Sequence, residues 1–420
     1  MNMNICMLLF QHYDPDMPVY PQIEICSYLR YFGHKVTWIM WEDRTRQINS
    51  YDFNGIQVYT VPYIHYIPNH STIGTYLNLI PNTVRRINLI SQILKDGGYD
   101  LISVVDYAFD CLVPNEMKKR YDTPFVYQLQ NPLEQYYHPF AKYWPGTEKR
   151  DTSFSTLIGY IPARFHEYIG VKYLHKADLV LPISKWMKIK LVEQGINEKN
   201  IMECPSGVDT KTFANNRKAE IRNECDATKC KTIIYVGTLD KLRNLEVLLL
   251  AFSEVLVKNR NTKLIIVGEG NGRLNLKQLT VSLHIDEQVV FTGLVARREI
   301  PSLIASADIG VSLVPPLSFY KLSSPIKILE YMAMGKPVVA NSEIYEQREI
   351  LGESGGGILT SFDSPSIAGS IIKLLNDTDE AVSMGEKGKE WILKNRDYEI
   401  LARKVEEKYL QIIRKNGKSV

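Results

Sequence analysis

From Ile233 to Leu359 the sequence alternates between short β-branched runs and helix-length amphipathic segments. The runs are Ile233–Val236, Lys263–Val267, Val289–Thr292, Ile309–Leu313, Pro337–Ala340 and Gly357–Leu359. Leu245–Val257, Asn275–Leu283, Ile300–Ser306 and Pro365–Asn376 read as the helices of this half. Strands separated by helices cannot pair as tight hairpins. They need right-handed crossovers, so the pattern dictates a doubly wound parallel sheet with helices on both faces. The first half repeats the theme. Ile5–Phe10 reads as a strand, Tyr20–Phe32 as a helix, Gly33-His34 as a turn and Lys35–Met40 as the next strand; Leu101–Val105, Pro124–Leu129 and Leu179–Ile183 follow. Two Tyr-rich segments, Tyr59–Thr75 and Leu133–Tyr160, read as loops and helices lining a cleft.

A chain of 420 residues is too long for one ordinary core. Two domains are expected, 1–204 and 205–395, joined near Pro205-Ser206-Gly207-Val208-Asp209. A final helix within 396–420, about Glu399–Arg414, carries an apolar stripe of Leu401, Val405, Leu410 and Ile413 that calls for a partner; the first domain is the expected one.

Composition narrows the function classes. With 50 Lys and Arg against 47 Asp and Glu, the net charge of +3 makes no basic platform for nucleic acid. Six cysteines in so long a chain are not a disulfide scaffold. Cys6 and Cys26 read as core thiols, and the close pair Cys225 and Cys230 has no histidine nearby to complete a metal clip. The opening run Ile5–Phe10 is too short for a signal sequence. No segment reaches the ~18–20 apolar residues of a membrane span, which makes a reduced cytoplasmic protein the default expectation.

The stretch from Ser323 to Ala340 carries the clearest chemistry. It reads as a turn, a short helix with Ser324 as its cap and Pro325 at its first position, a break at Gly335 and a buried strand. Free N–H groups and the dipole make the helix start a ready anion site. Glu330 is the one acid in this otherwise apolar helix, and a carboxylate that only accepts suits paired sugar hydroxyls. A nucleotide sugar needs both features side by side.

Further motifs follow in order: Tyr235-Val236-Gly237-Thr238-Leu239 with Arg243-Asn244, Val267-Gly268-Glu269-Gly270, Val290-Phe291-Thr292-Gly293 and Ala307-Asp308-Ile309-Gly310-Val311. Together with Ala177 to Ser184, the 205–209 junction and the 324–340 stretch, they make the chain resemble the family-4 glycosyltransferases over nearly its whole length. These are retaining enzymes of the GT-B architecture, with two Rossmann-like domains facing a cleft. The resemblance implies that Arg243 grips the donor diphosphate and Glu330 holds the ribose hydroxyls. It places Gly237, Thr238, Gly268, Gly270, Ser323, Ser324 and Pro325 around the donor. It implies a nucleoside-diphosphate sugar as co-substrate, with neither metal nor cofactor. The leaving phosphate would then assist deprotonation of the acceptor hydroxyl, so the protein supplies positioning and leaving-group stabilisation.

Departures from the family pattern are as informative. Leu322 stands where a first motif glutamate is usual, which leaves sugar contacts to the backbone at Ser323 and Ser324 or to Lys321. Thr238 replaces a frequent arginine, and Pro18-Val19-Tyr20-Pro21 replaces a paired-glycine loop. Gln130-Asn131 replaces a His-Asp pair; two amides orient a sugar but cannot act as a base. His12, Tyr20, Gln130 and Asn131 are the acceptor candidates, and the acceptor class is a carbohydrate or a lipid-linked glycan. Tyr13, Tyr136 and Tyr137 fit either stacking on the acceptor or loop packing. Tyr76–Leu94 and Leu157–Leu174, with Arg85, Arg86, Arg164 and Lys172, fit either a peripheral membrane contact or core-facing helices. Two alternatives stay open: a degenerate homologue that binds nucleotide sugar or a partner without transfer, and a GT-B epimerase. A nicotinamide dehydrogenase is disfavoured, because no G-x-G-x-x-G follows the first strand.

Overall fold

A computed structural model of the chain describes residues 2–14, 21–43, 45–65, 72–95, 98–131, 165–213, 230–318 and 320–416. The chain divides into two compact units, Met1–Pro205 with Leu401–Val420, and Ser206–Ile400.

The first unit is built on seven strands: β1 (Asn4–His12), β2 (Lys35–Asp43), β3 (Asn49–Phe53), β4 (Ile56–Tyr63), β5 (Leu101–Val105), β6 (Phe125–Leu129) and β7 (Leu179–Pro182). Their order is β3-β4-β2-β1-β5-β6-β7, parallel throughout except that β3 runs antiparallel to β4. β5 and β6 are buried along their whole length, as central strands covered on both faces must be. The helices are α1 (Pro21–Tyr31), α2 (Thr72–Leu94), α3 (Leu112–Tyr121), α4 (residues 165–174) and α5 (Lys185–Glu193).

Sequence reading placed Tyr59 onward in a cleft-lining loop, whereas Ile56–Tyr63 is a strand. Pro62 obscures it. β3 pairs only as far as Thr60, so the missing N–H of Pro62 falls beyond the ladder on that side. Leu133–Tyr160, with Tyr136 and Tyr137, lies outside the described residues. Arg86 shows that one side of Tyr76–Leu94 faces the core. It is fully buried against Asp110, with Nε 2.8 Å from Oδ1 and Nη2 2.8 Å from Oδ2. Nη2 also donates to the carbonyls of Leu9 (2.9 Å) and Ile39 (3.3 Å), which ties α2 to the middle of β1 and β2.

The second unit has six strands, all parallel, in the order β10-β9-β8-β11-β12-β13. They are β8 (Lys231–Val236), β9 (Thr262–Val267), β10 (Val289–Gly293), β11 (Ile309–Ser312), β12 (Val338–Asn341) and β13 (Gly357–Thr360). The helices are α6 (Thr210–Phe213), α7 (Glu246–Lys258), α8 (Arg273–Ser282), α9 (Ile300–Ser306), α10 (Ile326–Ala333), α11 (Tyr345–Ser354), α12 (Ser364–Asn376) and α13 (Thr378–Asn395). α11 and α13 escape a search for apolar periodicity. α13 buries Ala381, Gly385, Gly388 and Ile392, a face made mostly of small residues. A Cβ on Gly385 would stand 2.1 Å from the Gly335 carbonyl oxygen, so glycine is what lets the helix lie against that turn.

The last helix, α14 (Tyr398–Lys415), returns its residues from Leu401 onward to the first unit. Leu401, Val405 and Ile413 are buried as their spacing implies, but Leu410 is only half-buried and Tyr409 takes the inward position. The Tyr409 hydroxyl accepts from Gln128 Nε2 at 3.2 Å. His34 accepts the Met3 N–H at Nδ1, so its Nε2 donates to Glu406 at 2.8 Å. The described cysteines, Cys6, Cys26, Cys111, Cys204 and Cys230, are buried free thiols; Cys225 lies outside the described residues.

Candidate functional site

In the second unit the carboxyl ends of β8 and β9 run into glycine loops, the usual ligand edge of a parallel sheet. The two loops are zipped together by backbone hydrogen bonds. Gly237 donates to Val267 (2.9 Å), Leu239 to Glu269 (2.8 Å) and Gly272 back to Leu239 (2.8 Å). Gly268, at φ +137°, lies so close to Gly237 that a Cβ would stand 1.9 Å from the Gly237 oxygen. A Cβ on Gly270 would stand 2.4 Å from the Leu239 carbonyl carbon. The close approaches that Gly268 and Gly270 permit are thus between the loops themselves, which fixes the floor of the site.

Charged side chains converge above that floor. Arg243 closes the 3₁₀ turn Lys241–Arg243, just ahead of α7. Its Nε donates to Thr238 Oγ1 at 3.0 Å, and its guanidinium lies 4.7 Å from the Tyr320 ring centroid. Thr238 stands where an arginine is frequent in the resembling family, and here its hydroxyl aims the arginine five positions on. Lys327, in the first turn of α10, sets its ammonium 3.9 Å over the Tyr235 ring. This lysine lies inside the 323–340 stretch, whose sequence reading assigns it no role. Burial and the charge of Arg243 hold Lys327 well below the usual lysine range, against the pull of Glu330. Burial likewise pushes the Tyr235 hydroxyl up to about 12.

Glu330 is 2% exposed, so it is no solvated helix acid. Its Oε1 forms an ion pair with Arg297, a residue that sequence reading did not single out. Arg297 belongs to the 3₁₀ turn Arg297–Glu299 after β10, and its guanidinium lies 5.4 Å from the Phe213 ring centroid.

The start of α10 differs by one residue from the expected cap. Pro325, not Ser324, is the N-cap, and no side chain closes the helix start. The Ser324 hydroxyl is engaged elsewhere: its Oγ accepts from the Ser206 N–H at 3.1 Å, and its carbonyl accepts from Ser206 Oγ at 3.1 Å. Two motifs read separately in the sequence, the 205–209 turn and the 324–340 stretch, are therefore one structure. Behind them Arg396 reaches Glu346 at 2.9 Å and the Ser206 carbonyl at 3.2 Å. Burial outweighs Arg396 and raises Glu346 to about 7. Ser323 is held in the preceding turn, its Oγ donating to the Tyr320 carbonyl at 2.6 Å. Leu322 ends the 3₁₀ turn Tyr320–Leu322 together with Lys321.

In the first unit the acceptor candidates sit at the carboxyl ends of neighbouring strands: His12 ends β1, and Gln130 and Asn131 follow β6. Between them, after β5, Asp106 adopts a left-handed backbone (φ +60°) and is 7% exposed. Its Oδ1 accepts from the backbone N–H groups of Gln130 (2.7 Å) and Asn131 (3.3 Å), and its Oδ2 from Asn131 Nδ2 (3.1 Å). The amide pair is thus anchored to a carboxylate from the adjacent strand. His12 Nδ1 lies 3.2 Å from Asp43 Oδ2, and His65 Nε2 lies 3.2 Å from Asp43 Oδ1. Burial lowers the His12 pKa; Asp43 opposes the shift, and His65 and Arg86 add to it. Tyr20 lies outside the described residues. Tyr13 stacks on Tyr51 with centroids 4.7 Å apart. His166 is buried and accepts the Ala108 N–H at 3.0 Å, a structural role. Among the described residues no cluster of His, Cys, Asp and Glu is arranged to hold a metal ion, and no helix is long and apolar enough to cross a membrane.

Two family models match the chain. One, described as Glycosyltransferase Family 4, covers residues 23–212; the other, described as Glycosyl transferases group 1, covers residues 216–391. The N-acetyl-alpha-D-glucosaminyl L-malate synthase of Bacillus anthracis is 24% identical over 58% of this chain and 63% of its own. A GDP-mannose-dependent alpha-(1-6)-phosphatidylinositol monomannoside mannosyltransferase of Mycobacterium tuberculosis is 25% identical over 54% of this chain and 60% of its own. The matched region therefore spans about three-fifths of these relatives' length. Among solved structures, the sucrose-phosphate synthase of Thermosynechococcus elongatus superimposes with a TM-score of 0.74 at 18% identity, over 98% of this chain and 99% of its own.

Proposed function

Because the chain belongs to the family-4 glycosyltransferases and has their GT-B architecture, we propose that it moves a sugar from a nucleoside diphosphate to an acceptor hydroxyl, with retention at the anomeric carbon. The observation that carries this reading is that the uncapped start of α10 meets the end of β8, where its Lys327 lies over Tyr235 and beside Gly237, with Arg243 and the buried carboxylate of Glu330 both acting on that lysine.

Each feature suits one part of such a donor. The free N–H groups of α10 and the Arg243 guanidinium suit the diphosphate, whose charge grows as the sugar leaves. Glu330 suits the ribose diol as an acceptor of both hydroxyl protons, sharing its carboxylate with Arg297. In the transfer itself the bond from C1 to the β-phosphate oxygen breaks. The acceptor oxygen bonds to C1 on the same face, and its proton goes to the departing phosphate. No base from the protein enters that sequence, in keeping with an amide pair at Gln130 and Asn131. We place the acceptor among carbohydrates and lipid-linked glycans, in glycan or glycolipid synthesis. The two relatives named above act on acceptors as unlike as L-malate and a phosphatidylinositol mannoside, so family membership alone leaves that class broad. His12, Gln130 and Asn131 are the acceptor contacts we propose, with the protein working in the cytoplasm and without a metal ion.

The test is a transfer assay across nucleoside-diphosphate sugars and simple glycoside or glycolipid acceptors. Release of nucleoside diphosphate is followed together with the anomeric proton coupling of the product. An α-linked product from an α-linked donor is expected. An inverted product overturns the retaining reading, and nucleotide binding without release of sugar points to a degenerate homologue.

A further inference from the structure

Lys327 is half-buried in a crowded position for a lysine. Its neighbours in α10 are apolar, with Ile328 and Leu329 fully buried, and a methionine of similar length would fill the same space without carrying a charge. Among the described residues it has no ion-pair partner. Its ammonium rests 3.9 Å over the Tyr235 ring, with the positive charge of Arg243 acting against it. Glu330, one helical turn on, attracts it, but that carboxylate is already paired with Arg297. Gly237 is what gives the ammonium room. A Cβ there would stand 2.7 Å from Lys327 Nζ and 3.1 Å from the Tyr235 hydroxyl. The sequence thus keeps open, at the end of β8, the spot into which this lysine projects. Two cations, one from the turn after β8 and one from the start of α10, act on each other while the nearby carboxylate is paired with Arg297, an arrangement that an anion stabilises.

We propose that Lys327 is a second donor-phosphate ligand, reaching over Gly237 to the diphosphate that Arg243 binds. The inference rests on the nucleoside-diphosphate reading above. It adds a residue of this chain, at a position where a neutral side chain would serve packing equally well. It also fits the substitution at Thr238, since a loop without a second arginine gains its second cation from the helix instead. Binding of the diphosphate places negative charge between Lys327 and Arg243, so an ammonium held low by burial and by that arginine is brought up. The groups acting on it are the Tyr235 ring beneath it, Arg243 and Glu330.

The test compares wild type with Lys327→Met by isothermal titration, using the nucleoside diphosphate that wild type binds and the corresponding monophosphate. The expected result is at least a tenfold loss of diphosphate affinity with the monophosphate changed less than about twofold, and a melting temperature close to wild type. Equal losses for both nucleotides, or none for the diphosphate, would overturn the inference while the donor reading stands. Wild type that binds no nucleotide takes both down. Should the variant fail to fold, Lys327→Gln, which keeps the length and a polar tip but no charge, is carried through the same titrations with the same expected and overturning results.

Discussion

Replacing Glu330 by glutamine isolates the contribution of one negative charge in a site that is 2% exposed. The carboxylate has two oxygens, and Arg297 already engages Oε1. A ribose diol must therefore donate to the remaining lone pairs. A hydrogen bond to a charged acceptor contributes about 1.5–3 kcal/mol, so wild type should bind the ribonucleotide roughly 10- to 150-fold more tightly than its 2′- or 3′-deoxy analogue. Glutamine keeps a single carbonyl oxygen, which Arg297 claims, and turns an N–H₂ donor toward hydroxyls that need an acceptor. The preference for ribose should fall to about twofold or less. The fold should tolerate the change. Arg297 has 39% of its side chain exposed, so losing its partner is screened by solvent, and a stability change within about 1 kcal/mol is expected. Titrations of both proteins with the ribo- and deoxyribonucleotide form a closed cycle whose coupling energy reads the interaction directly. A glutamine variant that still discriminates as strongly as wild type would refute the assignment of the ribose to Glu330.

Three further outcomes follow from the same geometry. Thr238→Val removes the acceptor that aims Arg243, and donor affinity should fall about 3- to 10-fold with an unchanged melting temperature, as measured by titration and calorimetry. Asp106→Ala leaves the N–H groups of Gln130 and Asn131 without their carboxylate and keeps a left-handed backbone on a residue ill-suited to it, so about 2–3 kcal/mol of stability should be lost by denaturant unfolding; Asp106→Gly, which relieves the backbone, should lose less. Glu346, raised to about 7 in the fold, favours the native state fully only below the unfolded carboxyl range near 4.5, and that contribution is lost as pH rises through 7. Glu346→Gln should therefore match wild type at pH 5 and exceed it by about 2–3 kcal/mol at pH 8; a pH-independent difference would refute the assignment.

Much of the fold was legible because buried parallel strands announce themselves as β-branched runs. β5 lies where Leu101–Val105 was read, and the six strands of the second unit differ from their expected bounds by one or two residues. Among what escaped, β4 was hidden by Pro62, and other elements depend little on apolar burial. β3 is a polar edge strand of alternating partial exposure, and α13 buries glycine and alanine, which leave no periodic apolar stripe. The site was legible in its backbone and in its two named charges, Arg243 and Glu330. Its pairings were not, because they join residues far apart in the chain. Arg297 meets Glu330 from another strand's end, Ser206 draws Ser324 away from the helix cap, and Asp106 holds Gln130 and Asn131 across a strand boundary. No local periodicity encodes such partners; an unexplained lysine in an apolar helix, such as Lys327, is the one signal that was in view.

The central claim is that the second unit binds a nucleoside-diphosphate sugar through Arg243. A thermal-shift screen of UDP-, GDP-, ADP- and CMP-sugars against wild type and Arg243→Ala tests it most directly. Ligand at about 100 times its dissociation constant stabilises the native state by roughly 2.7 kcal/mol, which is a readily measured rise in melting temperature. The account predicts a rise with one nucleoside-diphosphate sugar that disappears in the variant. No rise with any of them, or a rise that Arg243→Ala leaves intact, would contradict it.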